Sequence, residues 1–406
     1  MYYCQLIYIM HRRKFIQNMA LLSLMSPFIK LNASTNKKIV VVGAGIIGAS
    51  IAYELSNLGI KTILIDKYKA GSGTSGSSFN WINATYPKKP YSYNYIAQLG
   101  LKAFKDIQND LNYDIQWNGS LEWANSKESQ KELIDEVNKL MRYQTFTKHK
   151  IINHNKANIL ESNLNFRDNI NIVHSEDDGV IDTNEFIKLL IDRINFNGSQ
   201  VIEECEYKNI KYTNNTISSI ITSKGEIAAN QIVFACGIDT NKIFNKKLLK
   251  SPEPGIIIKS KPHKKIINKI IYGPGIHLYQ QKDGRVIIGE QGLLERNDIN
   301  KFSDYPSQFD SKLMENKYVN KIISIGKTFF NEIESLDINE VKIGWRPIPL
   351  DEKPIIGRLN YDKNIYIATM HSGITLGPIV GKLVAKELTQ NKELSILDGF
   401  RPGRFL

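Results

Sequence analysis

Three glycines and one aspartate carry the most specific chemistry in this 406-residue chain. Gly43, Gly45 and Gly48 stand in G-x-G-x-x-G spacing, and Asp66 follows 23 residues after the first. Glycines so spaced allow a tight turn, let an anion approach the backbone, and let a helix pack closely on a strand. The pyrophosphate of a dinucleotide would rest on main chain around Ala44, Ile46 and Ile47, where a helix N-terminus favours negative charge. Asp66 would accept hydrogen bonds from an unphosphorylated ribose. The glycine motif alone is weak evidence. Here β-branched Ile39–Val42 precedes it as a buried strand, Ile46–Leu58 reads as a helix, and Lys61–Ile65 reads as a second strand. The set predicts a dinucleotide site, with a purely structural βαβ unit as the alternative. It does not choose between NAD and FAD.

The loop after Asp66, KYKAGSGTSGSSFNWINA, is rich in glycine and hydroxyl residues. Lys67, Gly73, Thr74 and Ser75 could hold a second part of a long cofactor through amides and hydroxyls; a plain connector is the alternative. Of three cysteines, Cys4 lies near the N-terminus, and Cys205 and Cys236 lie in apolar, strand-like runs. Buried thiols are expected rather than a disulfide. With no C-x-x-C and no His/Cys cluster, no metal is expected.

Composition bounds the partners. Hydrophobic residues at 42% and charged residues at 23% fit a globular protein with one large or two smaller domains. The net charge is +12, but the first 34 residues hold four Lys/Arg and no acid, which leaves +8 spread along the rest. No basic stripe or recognition motif accompanies it, so no nucleic-acid partner is expected. A basic surface can still favour an anionic membrane face or acidic substrates.

The first 34 residues read as an address. Arg12-Arg13-Lys14 precedes a mildly apolar run, Met19–Ile29, and then the small residues Asn32-Ala33-Ser34. That order predicts a twin-arginine signal peptide, hence the export machinery as a partner and a periplasmic location, with association at the membrane surface also open. The apolar run is too short to span a bilayer, which takes roughly 20 helical residues. A chance Arg-Arg pair is the alternative, and Met10 is a second candidate start.

Further along, residues 91–111 carry apolar side chains at helical spacing, Ile115–Trp123 alternates like a strand, and 127–143 returns to helix. Thr183 is a fair N-cap for a helix over Asn184–Ile194. Ile210–Thr213 and Thr216–Thr222 form a hairpin pattern, and Gln231–Ala235 is a buried strand. Gly255–Lys261, Ile276–Gln281 and Arg285–Gly289 suggest an antiparallel sheet turning at Lys282-Asp283-Gly284. His277 and Tyr279, two apart, share one face of it.

The glycine unit with its acid, the Gly73-Thr74-Ser75 loop and two later motifs together resemble the D-amino-acid oxidase superfamily of FAD oxidoreductases. Those motifs are Gly344-Trp345-Arg346-Pro347, followed by Asp351 and Pro354-Ile355-Ile356-Gly357, and the turn Met370–Gly377 before a helix, Pro378–Leu388. The resemblance covers about residues 37–395. It implies an α/β fold: an FAD-binding, Rossmann-like domain of glutathione-reductase type, plus a substrate domain on a mixed or antiparallel sheet with flanking helices. The expected division is 37–90, 168–250 and 340–395 for FAD, and 91–167 and 251–339 for substrate.

The resemblance also implies roles. It places adenine-contacting backbone at Cys205, a closing strand at Ala235 and Gly237, and the turn with Gly373, Ile374, Thr375 and Leu376 under the flavin pyrimidine. His371 in that turn would add to charge stabilisation if protonated or donating. In relatives the arginine matching Arg346 binds the substrate carboxylate, and a planar guanidinium suits that bidentate grip. A structural pair with Asp351 is the alternative. His277 stands where relatives often have an aromatic residue facing substrate.

There are departures. Asp66 replaces the usual Glu and is one methylene shorter. Glycine oxidases carry an arginine in the last turn and this chain does not, which argues against glycine oxidase itself. Sarcosine oxidases attach FAD through a cysteine near the chain's far end; no cysteine lies beyond Cys236, so FAD is expected to be non-covalent. The implied function is an FAD-dependent amino acid dehydrogenase or oxidase that breaks a C–H bond beside nitrogen, passing hydride to flavin N5 and leaving an imine. A quinone or oxygen would be the acceptor. Alternatives are oxidation of N-methyl or other secondary amines, and a flavin-bearing binding protein without turnover.

Overall fold

A computed structural model describes residues 37–84, 88–142 and 147–406. The expected signal peptide lies outside them.

The first sheet has six strands in the order Ile355–Arg358, Ile365–Thr369, Gln231–Phe234, Ile39–Val42, Thr62–Ile65 and Gln200–Ile202. All pairings are parallel except the one between Ile355–Arg358 and Ile365–Thr369. The β-branched runs follow from burial on both faces. Ile39, Val41, Leu64, Val233 and Tyr366 face a helical layer that includes Ile46–Asn57, Thr183–Phe196 and Gly373–Gln390. Val40, Val42, Ile65, Ile232 and Ile367 face a three-stranded antiparallel sheet, Tyr207–Thr213, Thr216–Thr222 and Gly225–Ala228. Its first hairpin turns through Asn214 and Asn215, at φ 51° and 59°, the pair of left-handed residues such a tight turn needs.

The second sheet has eight strands, from Ile338–Arg346 through Glu253–Pro262, Arg285–Gln291, His277–Gln280, Ile270–Tyr272, Ser120–Glu122 and Asn171–Ser175 to His149–Asn153. It is antiparallel except where Ile270–Tyr272 meets Ser120–Glu122. One face buries Leu121, Ile256, Leu278 and Ile288 against Tyr318 and Ile322 of the helix Lys312–Lys327. The other face carries Ile257, Ile270, Tyr279 and Ile287, packed with Phe79.

Three expectations need correction. Asn171–Ser175 and Ile338–Arg346, read with the FAD-binding portion over 168–250 and 340–395, pair in the second sheet. Asp182, not Thr183, caps the helix Thr183–Phe196, because its carboxylate accepts from the amides of Asn184 and Glu185. The last helix begins at Gly373, well before Pro378, so most of the expected turn is its first turns.

Two helices, Ile46–Asn57 and Gly373–Gln390, follow parallel strands separated by Gln231–Phe234 alone. Their N-termini therefore stand at the same, carboxyl edge of the sheet, where α/β folds bind ligands. They cross closely: a Cβ on Gly381 would lie 2.6 Å from the Ser50 carbonyl oxygen. At its far end the last helix is fixed by buried Glu387, which accepts from Tyr366 at 2.7 Å and from Arg401 at 2.7 and 2.9 Å. Among the described residues no helix is long and apolar enough to cross a membrane.

Candidate functional site

The glycines divide by what surrounds them. Gly43 has φ +103°, and a Cβ there would lie 2.4 Å from the Ala235 carbonyl oxygen. A Cβ on Gly48 would lie 1.8 Å from the Gly43 oxygen. These two glycines seat the helix on the sheet. A Cβ on Gly45 would meet only the Ser75 hydroxyl, at 3.1 Å, and one on Gly73 or Gly237 would meet nothing within 4 Å. One on Gly373 would make ordinary contacts with Ile46 and Ile47. Backbone open to space at Gly73 and Gly237, and bordered only by side chains at Gly45 and Gly373, forms a cradle that fits a long cofactor such as FAD.

Asp66 anchors the loops of that cradle. One carboxylate oxygen accepts from the Ala44 amide at 2.7 Å and the other from Tyr68 at 2.8 Å. Burial raises its pKa, and those two bonds pull the other way. Each oxygen keeps a lone pair for a ribose hydroxyl. Lys67 reaches across to Asp239 at 2.7 Å, beside Gly237, and the Cys205 amide donates to the Asp66 carbonyl at 2.6 Å. Cys205 is buried; Cys236 is only partly so.

The hydroxyl loop behaves differently from expectation. Ser75 accepts from the Ile46 amide at 3.1 Å, at the start of the first helix. Thr74 spends its hydroxyl proton on the Trp345 carbonyl at 2.7 Å, so it ties the loop to the strand that bears Arg346 instead of donating to a cofactor. Gly344 makes this approach possible, since a Cβ there would lie 2.1 Å from the Ser77 oxygen. The cradle and Arg346 are thus braced against each other.

In the last helix, the opening amides of Gly373, Ile374 and Thr375 belong to the turn that has no intrahelical partners. Leu376 does not: its side chain is fully buried and its amide donates to the Ser372 carbonyl at 3.1 Å. Its place is in the core. The Thr375 hydroxyl accepts from the Asn83 amide at 3.0 Å and donates to the Trp81 carbonyl at 3.3 Å, docking the strand Trp81–Ile82 beside the helix. Tyr93 donates to Ser372 at 2.9 Å.

Facing this helix is the wall carried by the second sheet. His277 lies edge-on to Phe79 at 4.2 Å and stacks on Tyr272 at 5.5 Å, and Trp81 lies 5.5 Å beyond Tyr272. Burial first, and the Arg346 cation second, push the His277 imidazole down to about 3. His371 stands exposed on the rim, but the surrounding protein, followed by the cations of Arg346 and Lys88, pushes it down to about 4. Both rings are neutral at pH 7. Of the two expected roles for His371, protonated or donating, the lowered pKa favours the second: an N–H dipole rather than a charge.

Both histidines feel the Arg346 cation. It is not paired with Asp351, which is held by Arg404 at 2.8 and 3.1 Å. Its partner is Glu253, the residue opposite it in strand register, at 3.0 Å from a terminal nitrogen. Nε also reaches the Glu253 carbonyl at 3.2 Å.

Residues that sequence reasoning missed complete the cleft. Glu253, Lys88 and Glu122 have no local motif and come into place only through sheet register and loop docking. Lys88 donates to the Asn83 carbonyl at 3.1 Å, and burial lowers it to about 8. Glu122, opposite Tyr272 in the sheet, is raised to about 8 by burial and by nearby Asp178.

The buried His277 makes a pH prediction. The unfolded chain protonates this ring near 6.5, the folded chain only near 3, so folding loses stability as pH falls between those values. His277→Phe keeps the aromatic packing and removes the loss. The variant's gain over wild type should grow from near zero at pH 7 to on the order of 3 kcal/mol at pH 4. Denaturant melts at both pH values measure it; an equal difference at both would refute it.

A family model described as FAD dependent oxidoreductase, DAO, matches residues 38–387. The chain belongs to the DAO family of FAD-dependent oxidoreductases. It is therefore a flavoenzyme whose cofactor is FAD, and the cradle fits that group. Glycine oxidase of Bacillus subtilis (strain 168) is 23% identical over 371 residues, covering 88% of this chain and 94% of that protein. A D-amino acid dehydrogenase of Helicobacter pylori (strain J99 / ATCC 700824) is 24% identical over 400 residues, covering 86% and 94%. Among solved structures, L-proline dehydrogenase from P. horikoshii superposes with a TM-score of 0.77 at 22% identity, covering 91% of this chain and 97% of that one. That likeness supports the α/β fold with an FAD-binding, Rossmann-like sheet.

Proposed function

We propose that this DAO-family protein oxidises the C–N bond of an amino acid, converting the amine to an imine that water hydrolyses to a keto acid and ammonia. The observation that carries the reading is Arg346. It is braced to the cofactor loop through Thr74 and Trp345, and it sits beside the aromatic wall of His277 and Tyr272. A guanidinium there grips a carboxylate and aims the adjacent carbon, which is orientation rather than acid–base work. Names of relatives that include glycine oxidase, D-amino acid dehydrogenase and 4-methylaminobutanoate oxidase support an amino acid or amine substrate.

The Gly43–Gly48 turn, Asp66 and the opening amides of the last helix would hold FAD, which would supply the two-electron acceptor. With the flavin ring over this turn, the helix N-terminus would offer partial positive charge to the negative charge that collects on reduction. With the pKa values of His277 and His371 both depressed, neither ring carries a proton to donate as an acid nor is basic enough to take one from an ammonium, so the substrate amine enters deprotonated. Hence kcat/KM should rise with pH up to the amine's own pKa, with no inflection near 6.5. A pH–rate profile with two substrates of different amine pKa tests this: an inflection shared by both would assign it to the protein instead. The Arg12-Arg13 leader supports export to the periplasm by the twin-arginine route, and with it a quinone acceptor at the membrane; brisk peroxide formation in air would favour oxygen.

A further inference from the structure

We propose that Glu253 is a specificity-determining residue: a built-in carboxylate that occupies Arg346 until the substrate's carboxylate displaces it. This rests on the reading of Arg346 as the carboxylate clamp.

Glu253 opens the strand Glu253–Pro262 and lies directly across from Arg346 at the end of Ile338–Arg346. Its carboxylate is 3.0 Å from the Arg346 terminal nitrogen and imitates the contact an amino acid carboxylate would make. The two partners differ in mobility. The Arg346 side chain is 18% exposed and is also held through Nε to the Glu253 main-chain carbonyl. That second bond does not depend on the Glu253 side chain, so the guanidinium keeps its place when the carboxylate leaves. The Glu253 side chain is 58% exposed and can swing into water. An ion pair with one exposed partner contributes little, so an incoming carboxylate can displace it.

A second acid sharpens the consequence. Glu290 is buried near Arg346 and immovable, its two oxygens accepting from the amides of Ile256 at 3.1 Å and Leu293 at 2.8 Å. The guanidinium therefore sits among an excess of carboxylates. A monocarboxylate with a neutral or cationic remainder replaces Glu253 one for one. A dicarboxylate brings one negative charge too many and is rejected. Glu253 thus raises the apparent KM of every carboxylate substrate, and most for acidic ones.

The test uses FAD-loaded protein and the flavin absorbance change on titration with propionate, succinate and, as an uncharged control, propionamide. Wild type, Glu253→Gln and Arg346→Ala are compared, with Glu253→Ala as a second variant should Gln retain a bond to Arg346. Flavin content and melting temperature confirm folding. The expected result is that Arg346→Ala loses propionate binding, whereas Glu253→Gln binds propionate about three- to tenfold tighter. Succinate should gain more than propionate, and propionamide should not change. If Arg346→Ala loses propionate but both Glu253 variants bind it no better than wild type, the proposal is overturned and the clamp stands. If Arg346→Ala binds propionate as wild type does, the clamp itself falls, and the proposal with it.

Discussion

Replacing Arg346 with Ala should raise KM for amino acid substrates by about 100-fold, while amines without a carboxylate lose little. The magnitude follows from removing both charge and fork from a half-buried site: a charge-assisted, bidentate bond to a carboxylate contributes on the order of 2–3 kcal/mol. The fold should survive. The paired partner left behind, Glu253, is largely solvent-exposed, and the buried Glu290 nearby keeps its two backbone hydrogen bonds. Arg346→Lys restores charge but not the fork and should recover part of the affinity. Steady-state kinetics on matched amino acids and their amides separate the effects. A fall in kcat alone, with KM unchanged, would show that Arg346 does not bind the carboxylate.

The glycine turn gives the second large effect. Gly48→Ala places a methyl group 1.8 Å from the Gly43 carbonyl oxygen, a backbone atom that cannot move aside without unseating the first helix. The expected outcome is a loss of about 3 kcal/mol or more in stability and purification without FAD. Gly43→Ala should behave the same way, since φ +103° and the Ala235 carbonyl both forbid it. Gly45→Ala should not. Its methyl meets only the movable Ser75 hydroxyl, so the stability of the FAD-free chain should change by less than about 1 kcal/mol while FAD binding weakens tenfold or more. Melting in the absence of FAD, beside FAD titration by fluorescence, distinguishes the two classes. Equal destabilisation by all three substitutions would mean that Gly45 is a packing glycine like the others.

Much of this was legible in the chain. Local signals sufficed for the first βαβ unit, because strand, turn, helix and acid follow one another within thirty residues and each has its own periodicity. The Arg346 motif and the last helix were also legible, though the helix start was placed at Pro378 when Gly373 is the first residue. Pro378 stands inside the helix, past the first turn, and forgoes one intrahelical hydrogen bond there, so it marked the helix without marking its start.

What the chain did not disclose is what register creates. Arg346 had Asp351 five residues away as its apparent partner; the sheet instead sets Glu253 opposite it, 93 positions earlier. Asp351 is taken by Arg404 from the chain's end. Thr74 looked like a cofactor donor because its hydroxyl-rich loop follows the dinucleotide unit at once, and only the close passage of the Gly344-Trp345 strand shows where its hydroxyl goes. The sequence left open whether His371 is protonated or only donates, because the surrounding protein and the cations of Arg346 and Lys88 beside it come from the fold.

The most direct measurement is anaerobic mixing of the FAD-loaded protein with a panel of D- and L-amino acids and secondary amines, following the visible flavin absorbance. An amine-oxidising enzyme with a carboxylate clamp predicts bleaching by at least one amino acid, and much slower bleaching by the corresponding amide. Flavin that light reduces readily but that no amine in the panel bleaches would contradict the account.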